Sequence, residues 1–225
     1  MKPAHVKHID PEAPELGPHE ELVDVQVGSL VDRSAHESLR IGVGTNSSSN
    51  PVHAKAMEIE QALIAGNALA GSVLPGGVFK DCEFDHADLA SATWINARLV
   101  RAKFTECRLT GVDLRMSELR DVAFEECKMP DALFSESNLI RVRFDRCQLM
   151  NLDLAGATIE SLAIHNCDIT NLRLDGARIS LLDLRGSTID GISVDVESLR
   201  GIVIDPLQSP AIVQALGVRV LNAEL

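Results

Sequence analysis

Residues 82–109 read CEFDHADLASATWINARLVRAKFTECRL. Every fifth residue here is large and apolar: Phe84, Leu89, Trp94, Leu99, Phe104 and Leu109. Outward from this window the beat runs from Ile59 to Ile204 without an insertion, and all thirty positions are apolar. Two residues before each stands a second inward candidate; twenty-one of those thirty are Ala, Ser, Cys, Gly or Val. A period of five fits neither a helix of about 3.6 residues per turn nor a strand alternating every second residue. It marks an internal repeat.

Five residues cannot bury their own apolar pair, so the units must stack and the chain must coil. A corner every five residues closes a square after four units, which makes one coil twenty residues long. Columns at spacing twenty should follow. Phe84, Phe104, Phe124 and Phe144 form one, continued by Ile164, Leu184 and Ile204. Cys107, Cys127, Cys147 and Cys167 form another, and Cys82 holds the same small position on the adjoining face. Where the first column is Phe, its partners are Cys82, Ala102, Val122 and Val142; where it shrinks, they grow to Leu162, Leu182 and Ile202. Constant packing density requires such compensation.

The segment resembles the pentapeptide-repeat family, whose motif is A-[DN]-L-x-x. Ala87-Asp88-Leu89 matches it; Val112-Asp113-Leu114, Ser137-Asn138-Leu139 and Leu152-Asp153-Leu154 are looser copies. The resemblance implies an all-β fold, a right-handed quadrilateral parallel β-helix, here with a short C-terminal helix. At a strand spacing of about 4.8 Å, its seven and a half coils would make a rod roughly 36 Å long.

Composition narrows the function. The 225-residue chain carries a net charge of −12, only 3% aromatic residues and no Tyr. This argues against a nucleic-acid or anionic-membrane binder acting through bulk charge or base stacking. No apolar run is long enough to span a membrane, and Met1-Lys2-Pro3-Ala4-His5 opens no signal peptide. All five cysteines fall at buried small positions, which suits reduced core thiols in the cytoplasm. The sequence holds no catalytic or phosphate-binding motif and no paired-Cys zinc motif. Five of its seven His precede the repeats. No enzyme, cofactor or metal is expected.

Four segments are expected. Residues 1–21, rich in Pro, Glu and His, read as a mobile tail. Residues 22–56 read as capping strands laid over the first coil, through Val23, Val25, Val27, Leu30, Leu39 and Ile41, followed by a loop. Residues 57–205 are the rod. Residues 206–225 are a cap: Ser209 as N-cap, Pro210 at the first helical position and Gly217 past the end define a short helix, and Val218, Val220 and Leu221 a strand. Two inward positions break the apolar rule. Asn67 is expected to bond to backbone, and Glu197 to be exposed or to distort its coil.

Spacing also assigns the outward residues to faces. The face under the Phe column carries eight acids against four bases. Its candidate partner-binding residues are Glu83, Asp85, Glu106, Glu125, Glu126 and Asp145. The most basic face carries Lys80, Arg98, Arg101, Arg120, Arg141, Arg178 and Arg200 against six acids. The resulting expectation is a non-catalytic rod for protein–protein interaction or scaffolding. The resemblance supplies an alternative: quinolone-resistance members act on DNA gyrase by imitating duplex DNA, with no direct nucleic-acid contact. It also implies a homodimer, because a similar C-terminal tail joins such rods end to end. The candidate cap and dimer residues are Leu207, Ile212, Val213 and Leu216.

Overall fold

The computed structural model describes residues 10–16, 23–25, 35–42 and 51–220. In it the five-residue beat winds into a parallel β-solenoid of about 8 turns. Its long strands are β3 (Glu58–Gly66), β4 (Val78–Ala87), β5 (Arg98–Thr105), β6 (Glu118–Glu125) and β7 (Asn138–Asp145). Each pairs in parallel with the next one coil on, as in Phe84↔Phe104, Phe104↔Phe124 and Phe124↔Phe144. Every one of these strands runs through a corner. There Gln61, Asp81, Arg101, Asp121 and Arg141 adopt positive φ. Such a backbone costs about 1 kcal/mol per non-glycine residue, which the ladder bonds on both sides offset. The corners after Leu69, Leu89 and Trp94 are closed turns instead. Ser72 N–H donates to Leu69 O at 3.1 Å and Ala92 N–H to Leu89 O at 3.1 Å, with Gly71 and Ser91 at positive φ in third place.

The columns meet as the spacing predicts. Phe84, Phe104, Phe124 and Phe144 are buried and stacked, with successive ring centroids 4.2, 4.6 and 4.7 Å apart. Trp94 stacks on Phe79 at 4.4 Å and donates its indole N–H to Ser72 Oγ at 2.8 Å. The small inward residues fill volume and also bond. Cys107 Sγ reaches Phe84 O at 3.3 Å, Cys127 Sγ reaches Phe104 O at 3.5 Å and Cys147 Sγ reaches Phe124 O at 3.4 Å. Ser117 and Ser187 make the same bond to Trp94 O and Ile164 O, at 3.1 and 2.8 Å. Thiol and hydroxyl are therefore interchangeable at this place.

All five cysteines are free and buried. Burial pushes the Cys82 thiol up to about 12, and the neighbouring Cys107 and Cys147 together with burial push Cys127 up as well. Side-chain bonds from Cys127 and Cys167 pull Cys147 down, so closure of the column, rather than ionisation state alone, keeps the thiols from reagents. The folded protein is expected to give less than one equivalent with a neutral-pH thiol reagent, and the unfolded chain all five. Rapid labelling of the native protein would contradict the closed column.

The ends depart from the sequence reading. The coil begins before residue 57: Val52 and Ala54 are buried, and His53 bridges Val73 in parallel. Strands β1 (Val23–Val25) and β2 (Ala35–Ile41) do not lie across the first coil. They continue it, with Val23↔Leu39 and Leu39↔Ala62 in parallel register. Edge pairing satisfies their backbone groups, whereas a strand laid across would leave them open. Val27, Leu30 and most of the 42–51 loop lie outside the described residues. Asn67 is exposed; a register shift between Ala65 and Gly66 puts Ala68 inside. Glu197 is exposed as expected, and Ser198 turns inward instead, donating to Ala177 O at 3.0 Å.

Beyond β7 the strands shorten. They are β8 (Thr158–Ile159), β9 (Leu162–His165), β10 (Leu172–Arg173), β11 (Arg178–Ile179), β12 (Leu182–Asp183), β13 (Ile192–Ser193) and β14 (Ile202–Val203). A 3-10 turn, Pro206–Gln208, leads into α1 (Ser209–Ala215), which packs against β13. Gln208, not Ser209, is the N-cap of α1; Ser209 is its first residue and donates its hydroxyl to Pro206 O at 2.7 Å. Gly217 follows the helix at positive φ. Residues 218–220 form no strand, and Leu221 lies outside the described residues. Buried Gln208 closes the tube: its Nε2 donates to Leu184 O at 2.7 Å and to Ser187 O at 2.6 Å.

Candidate interaction surfaces

Parallel stacking places outward side chains of successive coils one above another. On the acidic face, Asp85, Thr105, Glu125, Asp145 and His165 form one such line. The predicted residues do gather here, but Lys and Arg side chains match three of the six, Glu125, Glu126 and Asp145. Glu125 lies between Lys103 at 3.0 Å and Arg143 at 2.7 Å. Arg146 holds Glu126 at 3.0 Å and Asp145 at 2.6 Å. His86 sits 2.8 Å from Asp85 and 3.3 Å from Glu106. The Asp85 hydrogen bond, with the charges of Asp85 and Glu106, lifts the His86 pKa above its ordinary value. Glu83 is half-buried.

The corner between the Phe column and the basic face was not singled out from the sequence. Its outward residues, one per coil, are Gln61, Asp81, Arg101, Asp121 and Arg141. Each Asp takes a two-pronged guanidinium from the coil above. Arg101 bonds Asp81 at 2.6 and 2.5 Å, and Arg141 bonds Asp121 at 2.6 and 2.6 Å. Against them lies the segment 10–16, which the sequence reading made part of a mobile tail. Glu15 N–H donates to Asp81 Oδ1 at 3.0 Å, and Glu12 N–H to Asp121 Oδ1 at 3.3 Å. Burial works to raise both carboxyl pKa values. The arginine bonds, the tail N–H groups and nearby cations outweigh it, and both are lowered. The ionised pairs therefore contribute stability above the ordinary carboxylate value of 3.8, lost as pH falls through the lower folded values. The alternation of Asp and Arg at spacing twenty was the available signal.

The C-terminal end places the predicted cap residues in two environments. Ile212 and Ala215 pack on the core and Val213 is half-buried, while Leu207 is 93% exposed and Leu216 is exposed too. Among the described residues no group of His, Cys, Asp and Glu converges as a metal site. Nor, among the described residues, is any helix long and apolar enough to cross a membrane.

Residues 78–154 match the family model for a pentapeptide repeat region. Those residues, which span strands β4 to β7, are similar to a pentapeptide repeat region. Similar solved structures include a trypsin-treated form of QnrB1, a plasmid-mediated fluoroquinolone resistance protein. It is 16% identical, over 86% of this chain and 100% of that one, with a TM-score of 0.38. HetL, a pentapeptide repeat protein involved in heterocyst differentiation regulation from Nostoc sp. strain PCC 7120, is 15% identical over 81% and 89% of the two chains, with a TM-score of 0.36. Rfr23, a pentapeptide repeat protein from Cyanothece 51142, is 16% identical over 81% and 88%, with a TM-score of 0.16. Among curated protein sequences, none matches. The core of the rod is closed, so its outward side chains make up the accessible surface.

Proposed function

We propose that the protein is a non-catalytic protein-interaction rod that pairs with a second copy through its C-terminal end. The observation that carries this reading is the apolar surface left open there. Val196, Leu207, Leu216, Val218 and Val220 are five of the eight exposed large apolar side chains among the described residues. Such a concentration marks an interaction site. The segment can serve two purposes because its faces differ: Ile212 and Ala215 cover the last coil, and Leu207 and Leu216 point away from it. A two-fold pairing would bury the same patch on both copies. The column of reduced thiols suits a reducing compartment such as the cytoplasm.

Sedimentation equilibrium tests the pairing. The expected mass is twice the 24.3 kDa of one chain. A Leu207→Asp/Leu216→Asp variant should sediment as a monomer with an unchanged circular dichroism spectrum. A parent that stays monomeric at micromolar concentration overturns end-to-end pairing.

A second reading is gyrase inhibition or protection by imitation of duplex DNA. The stacked line of Asp85, Glu125 and Asp145 favours it, because these carboxylates stand two coils and one coil apart along the rod. The matching of Glu125, Glu126 and Asp145 by Lys103, Arg143 and Arg146 weakens it. Unchanged supercoiling by gyrase at micromolar protein would remove this reading.

A further inference from the structure

The contact between segment 10–16 and the Asp–Arg corner has a matching geometry that an incidental tail contact would not need. On the corner, acceptors recur every second coil, at Asp81 and Asp121. Two coils rise about 9.6 Å at a strand spacing of about 4.8 Å. On the segment, donors recur every third residue, at Glu12 and Glu15. Three residues of a polyproline-type chain rise about 9.3 Å. The sequence Asp10-Pro11-Glu12-Ala13-Pro14-Glu15-Leu16 carries that period itself. Pro11 and Pro14 are half-buried on the rod, and Glu12, Ala13 and Glu15 face solvent. Proline pre-sets the extended backbone, so little ordering is lost on docking.

Charge fits as well. Glu12 and Glu15 add negative potential beside Arg101, and Glu12 does so beside Arg141. The corner is bounded. Below Asp81 stands Gln61, and above Arg141 the series runs on as Ser161, Leu181 and Gly201, which offer no carboxylate. Two acceptor rungs therefore set the length of the ligand at about one Pro-Glu-x-Pro-Glu unit.

We propose that this corner is a docking ladder for extended Pro-Glu-x-Pro-Glu segments of a partner protein, and that residues 10–16 occupy it in cis as an autoinhibitory strap. A partner peptide then binds only in the fraction of molecules whose strap is open. Its apparent affinity is reduced by that fraction.

The test uses the full chain and a labelled peptide copying residues 10–16. Pro11→Gly/Pro14→Gly loosens the strap without touching the rod. It is expected to bind the peptide about tenfold more tightly than the parent, because the open chain gains conformational freedom. Amide exchange reads the strap directly. In the parent, Glu12 and Glu15 should exchange at least about tenfold more slowly than Ala13, and Asp81→Ala/Asp121→Ala should abolish the difference. Equal exchange of all three amides in the parent overturns the strap. Equal peptide affinity of the parent and the loosened variant, or binding by neither, overturns the gated ladder.

Discussion

Phe124→Ala is expected to lower the thermal unfolding midpoint by about 10 °C. Phe124 is fully buried in mid-rod, stacked between Phe104 at 4.6 Å and Phe144 at 4.7 Å and edge-on to Phe134 at 6.3 Å. Truncating such a ring costs about 3–5 kcal/mol, because transfer and cavity terms add. For a chain of this size each kcal/mol moves the midpoint by roughly 2–4 °C. The position matters too. In a solenoid each coil is held only by its neighbours, so a gap in the middle weakens both halves. The chain also shows how the gap could be filled. Where the column becomes Ile164 or Leu184, the buried partners are Leu162 and Leu182. A Val122→Leu/Phe124→Leu variant should therefore be more stable than the sum of its single changes, a coupling readable by a double-mutant cycle. A Phe124→Ala midpoint within about 2 °C of the parent would mean that the column carries little stability.

Arg185→Ala is expected to cost about 2–3 kcal/mol at neutral pH and much less near pH 3.5. Asp183 is fully buried on the outer side of β12. It accepts from Arg185 Nε at 2.9 Å, Nη2 at 2.6 Å and N–H at 3.2 Å, and His165 Nε2 lies 3.3 Å away. Burial alone would raise its pKa; the Arg185 bonds and the neighbouring charges reverse this and hold it lowered. In the parent the folded value lies below the unfolded one. The pair thus contributes stability above the ordinary 3.8, lost as pH falls further. Without the guanidinium, burial dominates and the folded value rises. The variant's deficit then grows as pH climbs through the carboxylate range and shrinks below it. The usual loss for stripping a partner from a buried charge is about 3–5 kcal/mol. It is discounted here because the Arg185 side chain is 46% exposed and water can replace part of the contact. Urea unfolding at the two pH values checks this. A deficit independent of pH would show that Asp183 does not need its partner.

Much of the rod was legible before any coordinates. Phe84, Phe104, Phe124 and Phe144, and the cysteines from Cys107 to Cys167, stack as their spacing requires. A parallel coil of fixed length turns distance along the chain into height. The breaks in that rule were less legible. Ser198 replaces Glu197 inside, and Ala68 replaces Asn67. One residue of slack lets the chain keep polar groups out while preserving the backbone ladder. The extra N-terminal coils were hidden because their register steps, Val23↔Leu39 and Leu39↔Ala62, are sixteen and twenty-three residues instead of twenty.

The candidate surfaces followed the same division. The sequence placed Glu83, Asp85, Glu106, Glu125, Glu126 and Asp145 on one face. Only side-chain reach showed Lys103, Arg143 and Arg146 neutralising part of it. Leu207, Ile212, Val213 and Leu216 were grouped by sequence. Packing separated Ile212, which covers the last coil, from Leu207 and Leu216, which stay in solvent.

The sequence by itself determined the repeat, the square coil and the interior columns apart from the slips at Asn67 and Glu197, because each follows from a local period and from the need to bury apolar residues. The tertiary structure alone decided where the chain's ends go. Gln208 closes the tube through carbonyls twenty-four and twenty-one residues back, and the strap reaches Asp81 and Asp121 across sixty-six and one hundred and nine. Hydrogen bonds between such distant partners leave no period in the sequence, so only the folded chain brings them together.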